Sequence, residues 1–366
     1  MKGQWIGRIR GDIEGQIIAN IDDLVERYGG VAFVLPDNKA LPSSAGFFET
    51  PDKKANTPFK AFTLPIHPQT GLTAPWTEIR NLYPGVNHST EATLNISCEE
   101  NELHLTAITD LGTTVQSDII KKPFSTVSDI EGDIKTWEQY KSFVSTLLGR
   151  RNLFRGQRKP WKLRTAFHRK GRYDLFRFLN EDVPLLHRHL SARTSHVFNL
   201  KIPNENGAFL NLVQHHGYPT PLLDWTYSPY VAAFFAFRGV SKNNHDEEFV
   251  RVYIFDREEW RRHWGQLLML NVAGLHLSVM EFLAIENERL IPQQGATTVT
   301  NIDDIESYIK EKEAQRACSY LTAIDIPASE RNSVMQELSF MGITASSMFP
   351  GLDEACEELR EKMFGE

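Results

Sequence analysis

The sequence predicts an α+β protein in two parts: an N-terminal β-rich domain over residues 1–125 and a mixed α/β domain over residues 126–366. Three observations predict it. A length of 366 residues suits two domains of ordinary size. Short β-prone runs separated by Gly, Pro, Asn and Asp fill the first third. Apolar residues then change period, recurring at spacings of three and four from Ile134 onward.

Taken in order, the first part contains the runs GGVAFVLP, ATLNIS and ELHLTAIT, which suit strands of a sandwich or barrel. IDDLVERYG suggests one or two helical turns stopped by Gly29 and Gly30. The polar, Pro-rich stretch from Pro36 to Pro75 predicts long loops between strands. Asp, Glu and His are scattered here without metal-ligand spacing, so no chemistry is expected of this part. The boundary is expected near Pro123.

In the second part, Trp137, Tyr140, Phe143, Val144 and Leu147 predict an amphipathic helix. Asn152 to Gln157 predicts a short strand ending in a turn, and Asp174 to Leu190 contains a helix. Asn211 to Phe237 gives a helix end, a Pro/Gly loop, a short strand and a second helix. Pro229 suits the first turn of that helix, and Ala232, Ala233 and Ala236 suit close packing on a sheet. Phe249 to Asp256 and Arg289 to Val299 are strand-like, and Ile302 to Glu311 is helical.

Composition narrows the function classes. With 41% hydrophobic and 24% charged residues the chain is neither disordered nor fibrous. Apolar stretches such as Tyr230 to Phe237 are far short of the roughly 20 residues that cross a bilayer. The opening MKGQWIGRIRG lacks a signal-peptide core, so a soluble, cytoplasmic protein without membrane contact is expected. Cys98, Cys318 and Cys356 are odd in number and lack CxxC spacing, which argues against a disulfide framework or a cysteine zinc site. The net charge of −7 conceals a basic run, for Arg150 to Arg177 holds eleven basic residues and one acid, Asp174. Its interleaved Phe154, Trp161, Phe167, Tyr173 and Phe176 suggest the walls of a cleft for a phosphate-bearing ligand or a nucleic-acid backbone, with Arg158, Lys159 and Lys162 as contacts. A solvated basic face is the plainer alternative.

Three stretches carry candidate chemistry. Leu153-Phe154-Arg155-Gly156-Gln157 places an Arg at the end of an apolar strand, followed by a Gly that permits close approach of a backbone or ligand. Gln214 to Ala236 gathers His215, His216, Asp224, Trp225, Thr226 and Tyr227 around a tight turn. Adjacent His side chains point apart and no carboxylate completes the spacing, so no metal is expected. Glu286-Asn287-Glu288 at the start of the third stretch predicts two carboxylates on one strand face.

Together these stretches resemble the FRG-domain family, named for the tripeptide found here as Phe154, Arg155 and Gly156. The resemblance runs from Trp137 to Leu359 through LFRGQ, QHHGYPTPLLDWTYSPYVAAFFA, NERLIPQQG and LSFMGITASSMFPGLD. Pro221 departs from the PTRLLDWT form, which has Arg at that place. The order of the motifs is similar to that of ADP-ribosyltransferases: Arg on a first strand, a Ser-Thr-Ser motif, then E-x-E. Asp224 and Trp225 stand where that pattern has Ser and Thr, and the distance from Glu288 to Gly295 is one residue longer.

What the resemblance implies is an ADP-ribosyltransferase-like split sheet and NAD⁺ as co-substrate. Glu288, Glu286 and Arg155 would be catalytic. Arg155, Gly156, Gln157, His216, Asp224, Trp225, Thr226 and Tyr227 would hold the dinucleotide, with Trp225 or Tyr227 stacking on nicotinamide. The acceptor would be nucleic acid, RNA ahead of DNA, or protein. A toxin with an antitoxin or inhibitor partner, or a part in antiphage defence, is the implied setting. A non-catalytic module binding a nucleotide or nucleic acid is the alternative, and a phosphodiester enzyme using His215 or His216 is a third.

Overall fold

The computed structural model describes residues 1–54, 57–121, 125–240 and 248–364. Eight strands make the first part: β1 (Gly3–Gly11), β2 (Gly15–Asp23), β3 (Tyr28–Pro36), β4 (Ser44–Glu49), β5 (Phe59–Pro65), β6 (Glu91–Glu99), β7 (Glu102–Thr109) and β8 (Thr114–Ile120). Each pairs antiparallel with the next, and Gly11 of β1 pairs with Val115 of β8, which closes a barrel. In β6, β7 and β8 buried residues alternate with exposed or half-buried ones. Leu94 and Ile96 of β6, Leu103 and Leu105 of β7, and Val115 and Ile119 of β8 all point inward onto Trp5 and Ile17.

Two expectations for this part are corrected. Ile21 to Gly29 is not helical, because β2 and β3 pair from Gly15↔Pro36 to Asp23↔Tyr28 and form a hairpin. Its tip turns at Val25 with φ 75°, and Leu24 N donates to the Arg27 carbonyl. The stretch from Pro36 to Pro75 contains β4 and β5 rather than loops alone. Their apolar residues lie between prolines, and pairing to β3 and β6 outweighs the local turn signals. The boundary expected near Pro123 lies outside the described residues.

The second part is a seven-stranded mixed sheet built from β9 (Gly132–Ile134), β10 (Asn152–Gln157), β11 (Leu222–Thr226), β12 (Phe249–Asp256), β13 (Leu277–Met280), β14 (Gly295–Thr300) and β15 (Leu321–Pro327). The spatial order is β13-β14-β11-β10-β12-β15-β9, antiparallel except for the β15–β9 pair. Alternation splits β10 between two cores. Phe154 joins Val252, Ile324 and the helix Pro229–Arg238, whereas Leu153 joins Trp225, Phe255 and Trp260 on the other face. The predicted amphipathic helix is Trp137–Ser145, closed at its start by a Thr136–Gln139 capping box. Leu175 to Leu190 is helical with a π turn at Phe178–Asp182. Among the described residues, no helix is long and apolar enough to cross a membrane.

Buried polar contacts join barrel and sheet domain. Asp22, fully buried on β2, accepts from Tyr173 N, Asp174 N (3.2 Å) and Arg172 Nε (2.6 Å). Gln4 donates to the Asn301 carbonyl (2.7 Å) and accepts from Asp303 N (3.0 Å). Phe176 packs its ring against Phe33 and Phe47 of the barrel wall.

Burial makes this assembly acid-sensitive. It pushes the His168 and His276 imidazoles down to about 4, and it raises the Asp174 carboxyl to about 6. Between pH 6.5 and 4 the unfolded imidazoles take up protons that the folded ones refuse, so stability falls as pH falls. Asp174 acts the other way between about pH 6 and 3.8, because its folded form holds a proton that the unfolded form releases. Two imidazoles against one carboxyl leave a net loss of stability on acidification, with a slope of roughly 1.4 kcal/mol per pH unit for one proton. Urea midpoints at pH 6.0 and 5.0 should diverge less in His168→Asn than in the native chain. An unchanged divergence would remove His168 from this account.

Candidate functional site

The site begins with an incomplete ladder. β10 pairs with β12 over six residues and β11 pairs with β14 over five, but β10 and β11 share only the pair Phe154↔Thr226. Beyond that pair the sheet opens. Arg155, Gly156 and Gln157 line one side of the gap, and Asp224, Trp225 and Thr226 line the other. The cleft has a volume of about 1040 Å³, enough for a dinucleotide-sized ligand.

Local chemistry positions each wall. Ser228 caps the helix Pro229–Arg238 by accepting from Val231 N (3.2 Å), and Pro229 occupies its first turn. The fully buried Ala232, Ala233 and Ala236 let this helix lie on β10. Gly156 is what permits the approach, since a Cβ there would sit 1.8 Å from the Ala232 carbonyl oxygen. The Gly of the tripeptide therefore accommodates a helix backbone. Thr165 caps the short helix Ala166–Arg169, which carries Arg169 to the cleft.

Charge is the dominant property. Arg155, Arg158, Lys162, Arg164, Arg169 and Arg289 line the cleft, and Asp224 is the one acid among the described lining residues. Arg155 donates from Nη1 to the Asp224 carbonyl (2.6 Å), while its buried Nε has no hydrogen-bond partner among the described residues. Burial lowers the Arg155 guanidinium to about 10; Asp224 opposes this and Arg169 adds to it. Burial, followed by Arg164, also lowers Arg169. Cations crowded and desolvated in this way are stabilised by an arriving anion. Arg164 is held by Asp303 and by Tyr173 Oη, to which it donates from Nη2 (3.0 Å).

The expected site residues divide into two groups. Arg155, Gly156, Gln157, Asp224, Thr226 and Arg158 come together at the cleft. Thr226 is already engaged there, donating to the Gln293 carbonyl (2.7 Å) and accepting from Ser228 N (3.0 Å). Trp225 borders the cleft, but its ring is buried against Phe255 and its Nε1 donates to Thr298 (3.0 Å), so it presents no stacking face. Tyr227 lies away from the cleft lining, under Arg150 and bonded to Glu281. His216 is exposed at the end of the helix Pro203–His215, and His215 is the imidazole at the cleft. Lys162 is tied to Asp129 (2.8 Å) and Asp304 (2.9 Å), so its charge is largely spent within the protein. Lys159 is half-buried and outside the cleft lining.

The E-x-E strand is corrected. β14 starts only at Gly295, and the preceding residues wind through turns that satisfy their own backbone: Leu290 N to the Asn287 carbonyl, Gln293 N to Arg289, and Gln294 N to Ile291. No ladder is needed there, and the two-residue alternation is lost. Glu286 is exposed at φ 57°, accepting from His196 N (2.8 Å), and Glu288 is exposed too. Asn287 is the inward residue, donating to Asn211 Oδ1 (2.7 Å). Neither glutamate lines the cleft.

Several lining residues were missed from the sequence. Arg164 and Arg169 belong to the basic run, and Arg289 follows directly on Glu288. Phe349, in the closing stretch, packs on Phe235 with ring centroids 5.7 Å apart, and it is fixed by Gln293 donating to the Met348 carbonyl (2.9 Å). Among the described residues, no group of His, Cys, Asp and Glu is arranged to hold a metal ion.

Residues 150–245 match the family model described as the FRG domain. No curated protein and no solved structure matches the chain.

Proposed function

We propose that the FRG domain carried by this chain binds a pyrophosphate-bearing nucleotide in the Arg155 cleft and uses NAD⁺ as an ADP-ribosyl donor to a macromolecular acceptor. The observation that carries this is the cation set around Arg155, with Asp224 as its acidic counterpart. Arg155 and Arg169 would meet the phosphates. In the transfer, the ribose C1′–N bond to nicotinamide breaks and nicotinamide leaves with the bonding pair as a neutral base. The acceptor's O or N atom bonds to C1′, and its proton passes to solvent or to Asp224. Positive charge develops on the sugar meanwhile, and a nearby carboxylate stabilises it. Arg158 and the basic run favour nucleic acid, RNA first, as acceptor. A toxin restrained by an antitoxin, in antiphage defence, is the setting that family resemblance suggests.

A second reading has its own support: the exposed Glu286 and Glu288 leave the cleft without an E-x-E pair, which suits a module that binds a nucleotide or nucleic acid without turnover. Labelled NAD⁺ incubated with separate RNA, DNA and cell-protein pools distinguishes the two. Label on a pool supports transfer, and label on protein alone would overturn the nucleic-acid preference. Binding without label in any pool supports the second reading. Arg155→Ala should weaken NAD⁺ binding by roughly 10- to 100-fold, as expected when a charged hydrogen-bond donor is lost. Unaltered binding in that variant would remove the cleft from both readings.

A further inference from the structure

Trp161 is the exposed exception among the tryptophans of the sheet domain's core region. It keeps 40% of its surface accessible, against 2% for Trp137, 4% for Trp225 and 0% for Trp260. Leaving so large an apolar face in water forgoes burial that the other indoles obtain. It is not loose chain that leaves it there. The Trp161 carbonyl accepts from Tyr253 Oη (2.6 Å) and from Gln157 Nε2 (3.3 Å). On either side Ser128 N donates to the Pro160 carbonyl (3.0 Å), and Lys162 N donates to the Thr126 carbonyl (2.8 Å). The backbone is thus pinned against buried Tyr253 and the segment entering the domain, while the indole borders the cleft. The Arg158 guanidinium lies 5.7 Å from its ring centroid, and Arg158 lines the same cleft.

We propose that Trp161 is the nucleobase platform of this cleft: a base stacks on its exposed indole beside Arg158 while the attached phosphates lie on the Arg155 group. The inference rests on the cleft being a nucleotide site. A flat heterocycle joined to phosphate uses both surfaces at once, and base–aromatic stacking tolerates any base because every base has a π face. The base belongs either to a free nucleotide or to an unpaired position of a nucleic-acid strand.

The test compares ligands that differ by the base. Inorganic pyrophosphate, ADP, a short single-stranded oligonucleotide and its abasic counterpart are titrated calorimetrically into the native chain, Trp161→Ala and Trp161→Phe, each shown folded by circular dichroism. Trp161→Ala should weaken ADP or the base-bearing oligonucleotide about tenfold or more. Pyrophosphate and the abasic strand should keep their affinities, and Trp161→Phe should recover most of the loss. A loss confined to ADP identifies a free nucleotide as the source, and a loss confined to the oligonucleotide identifies a strand. Equal weakening of pyrophosphate and ADP, or no weakening of any ligand, would overturn the platform while leaving the cleft reading intact. Failure of the native chain to bind any of the four would overturn both.

Discussion

Gly156→Ala should cost several kcal/mol of stability, the largest loss expected from any single methyl group added near the cleft. The new Cβ would lie 1.8 Å from the Ala232 carbonyl oxygen, 2.7 Å from Ala236 N and 2.9 Å from the Ala232 carbonyl carbon. All three atoms are helix backbone, so no side-chain rotation relieves the clash. The helix cannot simply retreat. Tyr140 Oη donates to the Pro229 carbonyl (2.8 Å), Ser228 caps the first turn, and Val231, Phe234 and Phe237 are locked into the core with Phe154. Overpacking usually costs about 1–3 kcal/mol where side chains can adjust, and a backbone collision lies at or beyond the upper end. Gly149→Ala is the control, because a Cβ there meets nothing within 4 Å. Urea midpoints for the two variants should separate clearly, and a Gly156→Ala midpoint equal to the control would show that β10 and the helix can part without penalty.

In the proposed transferase reading, Asp224→Asn should lower the rate of ADP-ribosyl transfer by about 10²–10³ while leaving NAD⁺ binding equal or tighter. The two effects have opposite signs for one reason. The carboxylate is favourable to a sugar that becomes cationic in the transition state, yet it repels the phosphates of the bound ground state. Asp224 is the one acid among the described lining residues, on the strand edge facing Gly156 across the open ladder. Glu286→Gln and Glu288→Gln should retain activity, since both side chains are exposed on the turn before β14. Loss of activity in Glu288→Gln with full activity in Asp224→Asn would mean that this turn swings into the cleft when ligand binds, restoring the E-x-E assignment. In the binding-only reading, Asp224→Asn changes affinity and there is no rate to lose.

Much of this architecture was legible in residue order because local physics decides it. Short β-prone runs bounded by Gly, Pro, Asn and Asp marked β3, β6 and β7, and the three-and-four spacing marked the helix Trp137–Ser145. LFRGQ ends β10, and Pro229 with its small alanines starts the helix that covers the sheet, each by rules acting within a few residues. The basic run likewise announced a cationic cleft, and Arg155 and Arg158 are in it.

What tertiary structure decided was which way side chains face and which charges remain available. Asp224, Trp225 and Thr226 are consecutive, but strand pairing sends the Trp ring into the Leu153 core. Lys162 is quenched by Asp304, 142 positions away in sequence, and Asp22 of the barrel holds the backbone of Tyr173 and Asp174. Glu286 and Glu288 look like strand neighbours until the turns around Pro292 close their own hydrogen bonds and bring Asn287 inward instead. Periodicity is a property of the backbone and is written locally. Facing and neutralisation depend on partners brought together only by folding, so the same residues became a cleft centred on Arg155 and Asp224 once β10 and β11 parted after a single pair.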